Sequence, residues 1–140
     1  MSYYIRYFAD GALSLKAIAA GLKSFDPQFK IDGGELTRAA EMLGEVEINS
    51  AGSDLFGEEI ATKVAALNQV GGQAAQWVIN RLQQSQSVGV FHVLDGERDP
   101  NVTWEMLQPL WTVLPGISPG LTHVEGQGFY DGPQLVLAIA

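Results

Sequence analysis

Apolar and polar positions recur along this chain with two periods, and the first thirty residues show both. The run YYIRYFA at 3–9 is aromatic and β-branched, which is typical of a strand. Apolar residues then follow at helical spacing from Leu15 to Leu22, with Ser14 placed to cap the first turn. Asp26-Pro27 should end this helix, because the residue before a proline avoids helical backbone angles.

The next segment, residues 29–49, predicts a meander of three short strands. Gly33-Gly34 separates two apolar positions, and glycine adopts the positive φ of a tight turn without steric cost. Further on, Val46 and Ile48 alternate with polar neighbours. This alternation is typical of a strand with one buried face and one solvated face.

Two predicted helices and a buried strand occupy the middle of the chain. Ser53 or Asp54 caps a helical pattern that Gly71-Gly72 interrupts. We predict two helices here, because two adjacent glycines in one helix cost about 2 kcal/mol relative to alanine. The run SVGVFHVL at 87–94 is apolar on both faces, which predicts a central strand of the sheet.

The last part of the chain predicts one more helical region and a second meander. Trp104, Leu107, Trp111 and Leu114 recur at helical spacing, with Pro109 expected to kink or restart the helix. Pro115-Gly116 should end it, and the remaining residues, LTHVEGQGFYDGPQLVLAIA, alternate as strands again.

The same order of elements therefore occurs twice, with the helical segment 54–85 between the copies. Aligning Ile31-Asp32-Gly33 with Val124-Glu125-Gly126 suggests an internal duplication. We expect a single α+β domain over residues 1–140, built from two strand–helix–meander halves that form one sheet with helices on one face. A ferredoxin-like unit over 3–94 with a C-terminal extension is the alternative.

The charge balance limits the classes of partner. The chain has 8 basic and 16 acidic residues, giving a formal net charge of −8, and the basic residues are scattered singly. Such a surface repels nucleic acid and anionic lipid, whereas a basic protein or a polyamine-like ligand is compatible with it. We therefore expect no nucleic-acid partner.

Composition also limits the chemistry and the compartment. The chain has no cysteine, which excludes disulfides, thiolate nucleophiles and cysteine metal sites. No apolar run approaches the roughly 18 residues of a membrane span, and the first residues lack the pattern of a signal peptide. We expect a cytoplasmic protein that does not associate with membranes.

The segment HVEGQGFYDG at 123–132 is the richest in candidate chemistry. His123 and Glu125 alternate onto one strand face, and Asp131 lies across the predicted hairpin. A histidine with a carboxylate can act as a base and its orienting partner, or as half of a metal site. The same residues are explained if they lie on the solvent-exposed face of an edge hairpin. We therefore assign no catalytic role to them and expect neither a metal nor a cofactor.

Aromatic and apolar residues at the sheet edges predict protein contacts. The residues we expect at an interface are Tyr3, Tyr4, Tyr7, Phe129 and Tyr130. The apolar run LVLAIA at 135–140 would invite pairing with a second copy if it forms an edge strand, so we expect a homodimer.

The sequence therefore favours a small, acidic, non-catalytic cytosolic protein that acts through protein–protein contacts, for example by neutralising a basic partner. A small-molecule-binding sensor is one alternative. An enzyme that uses His123, Glu125 and Asp131 is another.

Overall fold

The computed structural model describes residues 2–139, which form one open antiparallel sheet flanked by helices. In chain order the elements are β1 (Ser2–Ala9), α1 (Leu15–Phe25), β2 (Phe29–Asp32), β3 (Glu35–Arg38), β4 (Glu41–Ser50), α2 (Asp54–Val70), α3 (Gly72–Gln84), β5 (Ser87–Leu94), α4 (Pro100–Met106), α5 (Leu110–Ile117), β6 (Gly120–Val124), β7 (Gly128–Asp131) and β8 (Gln134–Ala138). The α+β prediction is confirmed.

The sheet has eight strands in the order β2-β3-β4-β5-β1-β6-β7-β8. The two central strands, β5 and β1, pair antiparallel with Tyr4 opposite His92. A three-strand meander extends the sheet on each side, ending in β2 at one edge and in β8 at the other. The predictions of two meanders and of a central strand at 87–94 are confirmed.

Helices cover both faces of the sheet, which corrects the expectation of helices on one face. Ile5 and Tyr7 of β1 belong to the core beneath α1, α4 and α5, whereas Phe8 belongs to the core beneath α2 and α3. The physical reason is that β1 and β5 are apolar on both faces, so each face needs its own cover.

Strand order excludes the ferredoxin-like alternative for residues 3–94. In that unit the first strand lies between the hairpin and the last strand, whereas here β5 lies between β4 and β1. The two halves also join the centre differently, since the last strand of the first meander pairs with β5 but the first strand of the second meander pairs with β1. Sheet order therefore gives no support to the internal duplication.

Local signals fixed most helix boundaries. The N–H of Ala17 donates to Ser14 Oγ at 3.1 Å, and Ser53 rather than Asp54 caps α2. Gly71 has a φ of 70° and separates α2 from α3. Pro109 separates α4 from α5, as expected, but the prediction that Pro115 ends the helix is wrong, because α5 continues to Ile117 with this proline inside it.

Candidate functional site

The segment HVEGQGFYDG is divided between the two faces of the sheet, so its three candidate residues do not form one site. His123 packs on Phe129, with ring centroids 4.6 Å apart, on the side covered by α2 and α3. The Glu125 carboxylate accepts from the N–H of Tyr4 at 3.4 Å. Asp131 instead lines a cavity on the opposite face, the side of α5.

His123 is buried rather than solvent-facing, which corrects the expectation for this hairpin. Its exposed fraction is 3%, and its Nδ1 has no hydrogen-bond partner among residues 2–139. Burial, together with the positive charges of Lys63 and Arg6, lowers the pKa of His123 from 6.5 to about 4. The imidazole is therefore neutral at pH 7 and is closed off from solvent, as expected of a core residue.

Charged residues of β1 and α2 lie close to His123. Arg6 Nε lies 2.6 Å from Glu59 Oε2, and burial lowers the pKa of Lys63. Within residues 2–139, no group of three or more histidine and acidic side chains is placed to hold a metal ion. These charges form an ion-paired border over the apolar core of this face.

The feature that sequence reasoning missed is a cavity of about 570 Å³ on the opposite face. Tyr7, Thr122 and Tyr130 are neighbours in register across β1, β6 and β7, and they line it from the sheet. Trp104 and Trp111 line it from α4 and α5. The end of β7 and the turn that follows contribute Asp131, Gly132 and Pro133, and α3 contributes Arg81.

The cavity exists because the helices of this side stop short of one end of the sheet. Within the described chain, the buried residues of the core beneath α1, α4 and α5 come from β1 to β6, and none comes from β7 or β8. Gly120 adds room at the sheet, since a Cβ there would lie 2.7 Å from the Tyr7 ring. The Tyr7 ring can therefore lie against β6.

Three polar side chains of the lining donate hydrogen bonds to other groups of the described chain. The Tyr7 hydroxyl donates to Ser118 O at 2.7 Å, and burial raises the pKa of Tyr7 to about 12. The Tyr130 hydroxyl donates to Gln127 Oε1 at 2.7 Å, and Gln108 Nε2 donates to a main-chain carbonyl at 3.3 Å. These donors hold the walls in place.

Four polar side chains of the lining take part in no hydrogen bond or ion pair within residues 2–139, those of Trp104, Trp111, Thr122 and Asp131. The Trp111 Nε1–H is buried without an acceptor, and the exposed Asp131 carboxylate takes part in no hydrogen bond or ion pair. A buried donor without a partner costs about 1–3 kcal/mol, and the Trp111 Nε1–H carries this cost because the atom is closed off from solvent.

The predicted interface residues have different surroundings. Tyr7 and Phe129 are buried within the chain, which removes them from any surface contact, because both faces of the sheet are covered. Tyr3, Tyr4 and Tyr130 are half-buried and stay predictions as contact residues. The helical spacing of Trp104 and Trp111 suggested only a core face, and nothing in that spacing signals a cavity.

No comparison with known proteins assigns a function to this cavity. A scan against protein-family models found no match, and searches of curated proteins and of solved structures found no similar protein. No helix within the described range is long and apolar enough to cross a membrane.

Proposed function

We propose that this chain is a small-molecule-binding protein, acting as a sensor or carrier, and that its site is the cavity beside β6 and β7. The observation that carries the proposal is a volume of about 570 Å³ walled by four aromatic side chains. Ligand sites are typically apolar and aromatic concavities of roughly 300–1,000 Å³ with a few fixed polar groups.

The lining favours binding without turnover. Its described residues include one carboxylate, Asp131, and no imidazole, so a base with an orienting partner is not assembled there. The hydroxyl of Tyr7 is held protonated by burial, with a pKa of about 12. The enzyme hypothesis based on His123, Glu125 and Asp131 receives no support from a geometry that places them on different faces.

A cavity-filling variant tests this proposal. Thr122 lies between two aromatic rings of the sheet, so Thr122→Phe should occupy the cavity while leaving the core intact. Aromatic probes such as 2-phenylethanol or 2-phenylethylammonium, at about ten times their Kd, should raise the Tm of the wild-type chain by about 4 °C. The variant should show no such shift in differential scanning fluorimetry.

Thr112→Phe is the matched control, because Thr112 is exposed on α5 and does not line the cavity. This control should keep the full ligand-induced shift. An equal shift in Thr122→Phe would place binding elsewhere on the protein and contradict the proposal.

Self-association through β8 is a second candidate function, supported by the character of this edge. The strand Gln134–Ala138 carries no charged residue, and Leu135 is 45% exposed. The opposite edge strand carries Lys30 and Asp32, which are 3.6 Å apart and protect that edge against pairing. The contrast favours β8 as the edge that pairs with a second copy.

Leu135→Lys tests this candidate by placing a charge on the edge. We expect the wild-type chain to sediment as a dimer and the variant as a monomer in analytical ultracentrifugation. Val102→Lys is the control, because Val102 is a similarly exposed apolar residue, at 48%, on α4. A monomeric wild-type chain, or a dimer that survives Leu135→Lys, would overturn pairing through β8.

A further inference from the structure

We propose that the cavity selects an organic cation, that is, an ammonium group joined to an apolar or aromatic body. This inference rests on the proposed function and names its ligand class. Three features of the lining carry it: the aromatic walls, the pairing of its one guanidinium with Asp10, and an acidic group left unpaired.

Aromatic rings supply the main recognition surface. Trp104 and Trp111 lie with ring centroids 5.7 Å apart and planes tilted by 36°, and Tyr7 and Tyr130 face the same cavity from the sheet. The faces of aromatic rings carry negative potential, and rings that surround one space attract ammonium groups, most strongly where water is excluded. A ligand that joins an ammonium group to an apolar body would contact both the negative ring faces and the apolar surface of these walls.

The hydroxyl donors of the two lining tyrosines and the Gln108 amide are already engaged, and the one guanidinium of the described lining, that of Arg81, is ion-paired with Asp10. Both tyrosine hydroxyls and the Gln108 amide donate to protein acceptors, as described above. Pro115, Pro119 and Pro133 also line the cavity, and proline has no backbone N–H.

Arg81 and Asp131 are the charged residues that line the cavity, and of the two only Arg81 has an ion-pair partner in the described chain, Asp10, which lies outside the lining. Arg81 Nη2 lies 3.6 Å from Asp10 Oδ2, and the same guanidinium lies 5.6 Å from the Trp77 ring centroid. Arg81 is thus neutralised locally, whereas Asp131 has no basic partner within residues 2–139. The net charge of −8 adds a field that draws cations toward the protein.

Three probes with one aromatic body test the inference: 2-phenylethylammonium, 2-phenylethanol and 3-phenylpropanoate. Their affinities can be measured by tryptophan fluorescence in a Trp77→Phe background, in which Trp104 and Trp111 are the remaining tryptophans. We expect the cation to bind roughly tenfold more tightly than the alcohol, and the carboxylate to bind most weakly. A higher salt concentration should reduce the differences in affinity between the three probes.

Asp131→Asn should reduce the preference for the cation several-fold while leaving the affinity for the alcohol unchanged. Asp32→Asn is the matched control, because it removes the same charge from an exposed site at the far edge of the sheet and should keep the preference. A preference for the cation that is lost in Asp131→Asn but kept in Asp32→Asn supports the inference.

The remaining outcomes separate the inference from the proposed function. Equal affinity for the three probes, or a preference for the carboxylate, overturns cation selection but leaves the cavity as a ligand site. Loss of the preference in both variants assigns it to net charge alone and also overturns the inference. Binding of none of the three probes overturns the proposed function itself.

Discussion

Gly128→Ala is expected to destabilise the chain by roughly 3 kcal/mol or more, because β7 and β8 approach too closely at this position for any side chain. A Cβ on Gly128 would clash with Leu137 O and would lie 2.9 Å from Ala138 Cα, both of them backbone atoms. The residue also has a φ of 144°, which L residues rarely adopt. The loss in the free energy of unfolding can be measured by urea denaturation of the wild-type chain and the variant.

Gly126 is the matched control within the same loop. Its φ is 82°, yet a Cβ there would meet nothing within 4 Å, so Gly126→Ala carries backbone strain alone and should cost about 1–2 kcal/mol. A Gly128→Ala variant no less stable than Gly126→Ala would contradict the close packing of β7 against β8. Since Tyr130 and Asp131 continue β7, Gly128→Ala should also weaken ligand binding in the cavity.

His123 should make stability fall as the pH is lowered from about 6.5 to about 4. Its pKa is lowered to about 4 in the folded chain but is near 6.5 when the chain is unfolded, so the unfolded state takes up a proton first. The stabilisation is fully present above the unfolded pKa and is lost as the pH falls. The loss reaches at most roughly 3 kcal/mol and levels off below the folded pKa.

His123→Leu should remove this part of the pH dependence, because leucine has no proton to gain. The difference between wild-type and variant free energies of unfolding, measured from pH 7 to pH 4, isolates the contribution of His123 from that of the carboxylates. His92→Leu removes the other histidine and provides the control. Parallel pH profiles for the wild-type chain and His123→Leu would contradict the burial of His123.

Local signals in the sequence predicted most of the elements, because they act within a few residues. A cap such as Ser14 or a break such as Gly71-Gly72 needs no information about distant parts of the chain. The placement of helices on both faces depends on which strands pair, and its sequence signals were the runs at 3–9 and 87–94, each apolar on both sides. The extension of α5 past Pro115 depends on packing against the rest of the fold.

The candidate site was less predictable, because it is a product of tertiary arrangement. Alternation put His123 and Glu125 on one strand face, but which face is covered depends on where α2 packs, and His123 is buried for that reason. Trp104 and Trp111 have the spacing of core residues, and they line a cavity only because the sheet extends beyond the helices through β7 and β8.

The most direct test of the central claim, that ligands occupy the cavity beside β6 and β7, is an NMR titration of the three indole N–H signals. Trp104 and Trp111 line the cavity, whereas Trp77 is 41% exposed on α3. We expect added 2-phenylethylammonium to shift the Trp104 and Trp111 signals with one saturating curve and to leave the Trp77 signal in place. A response confined to Trp77, or no saturable shift of Trp111, would contradict the account.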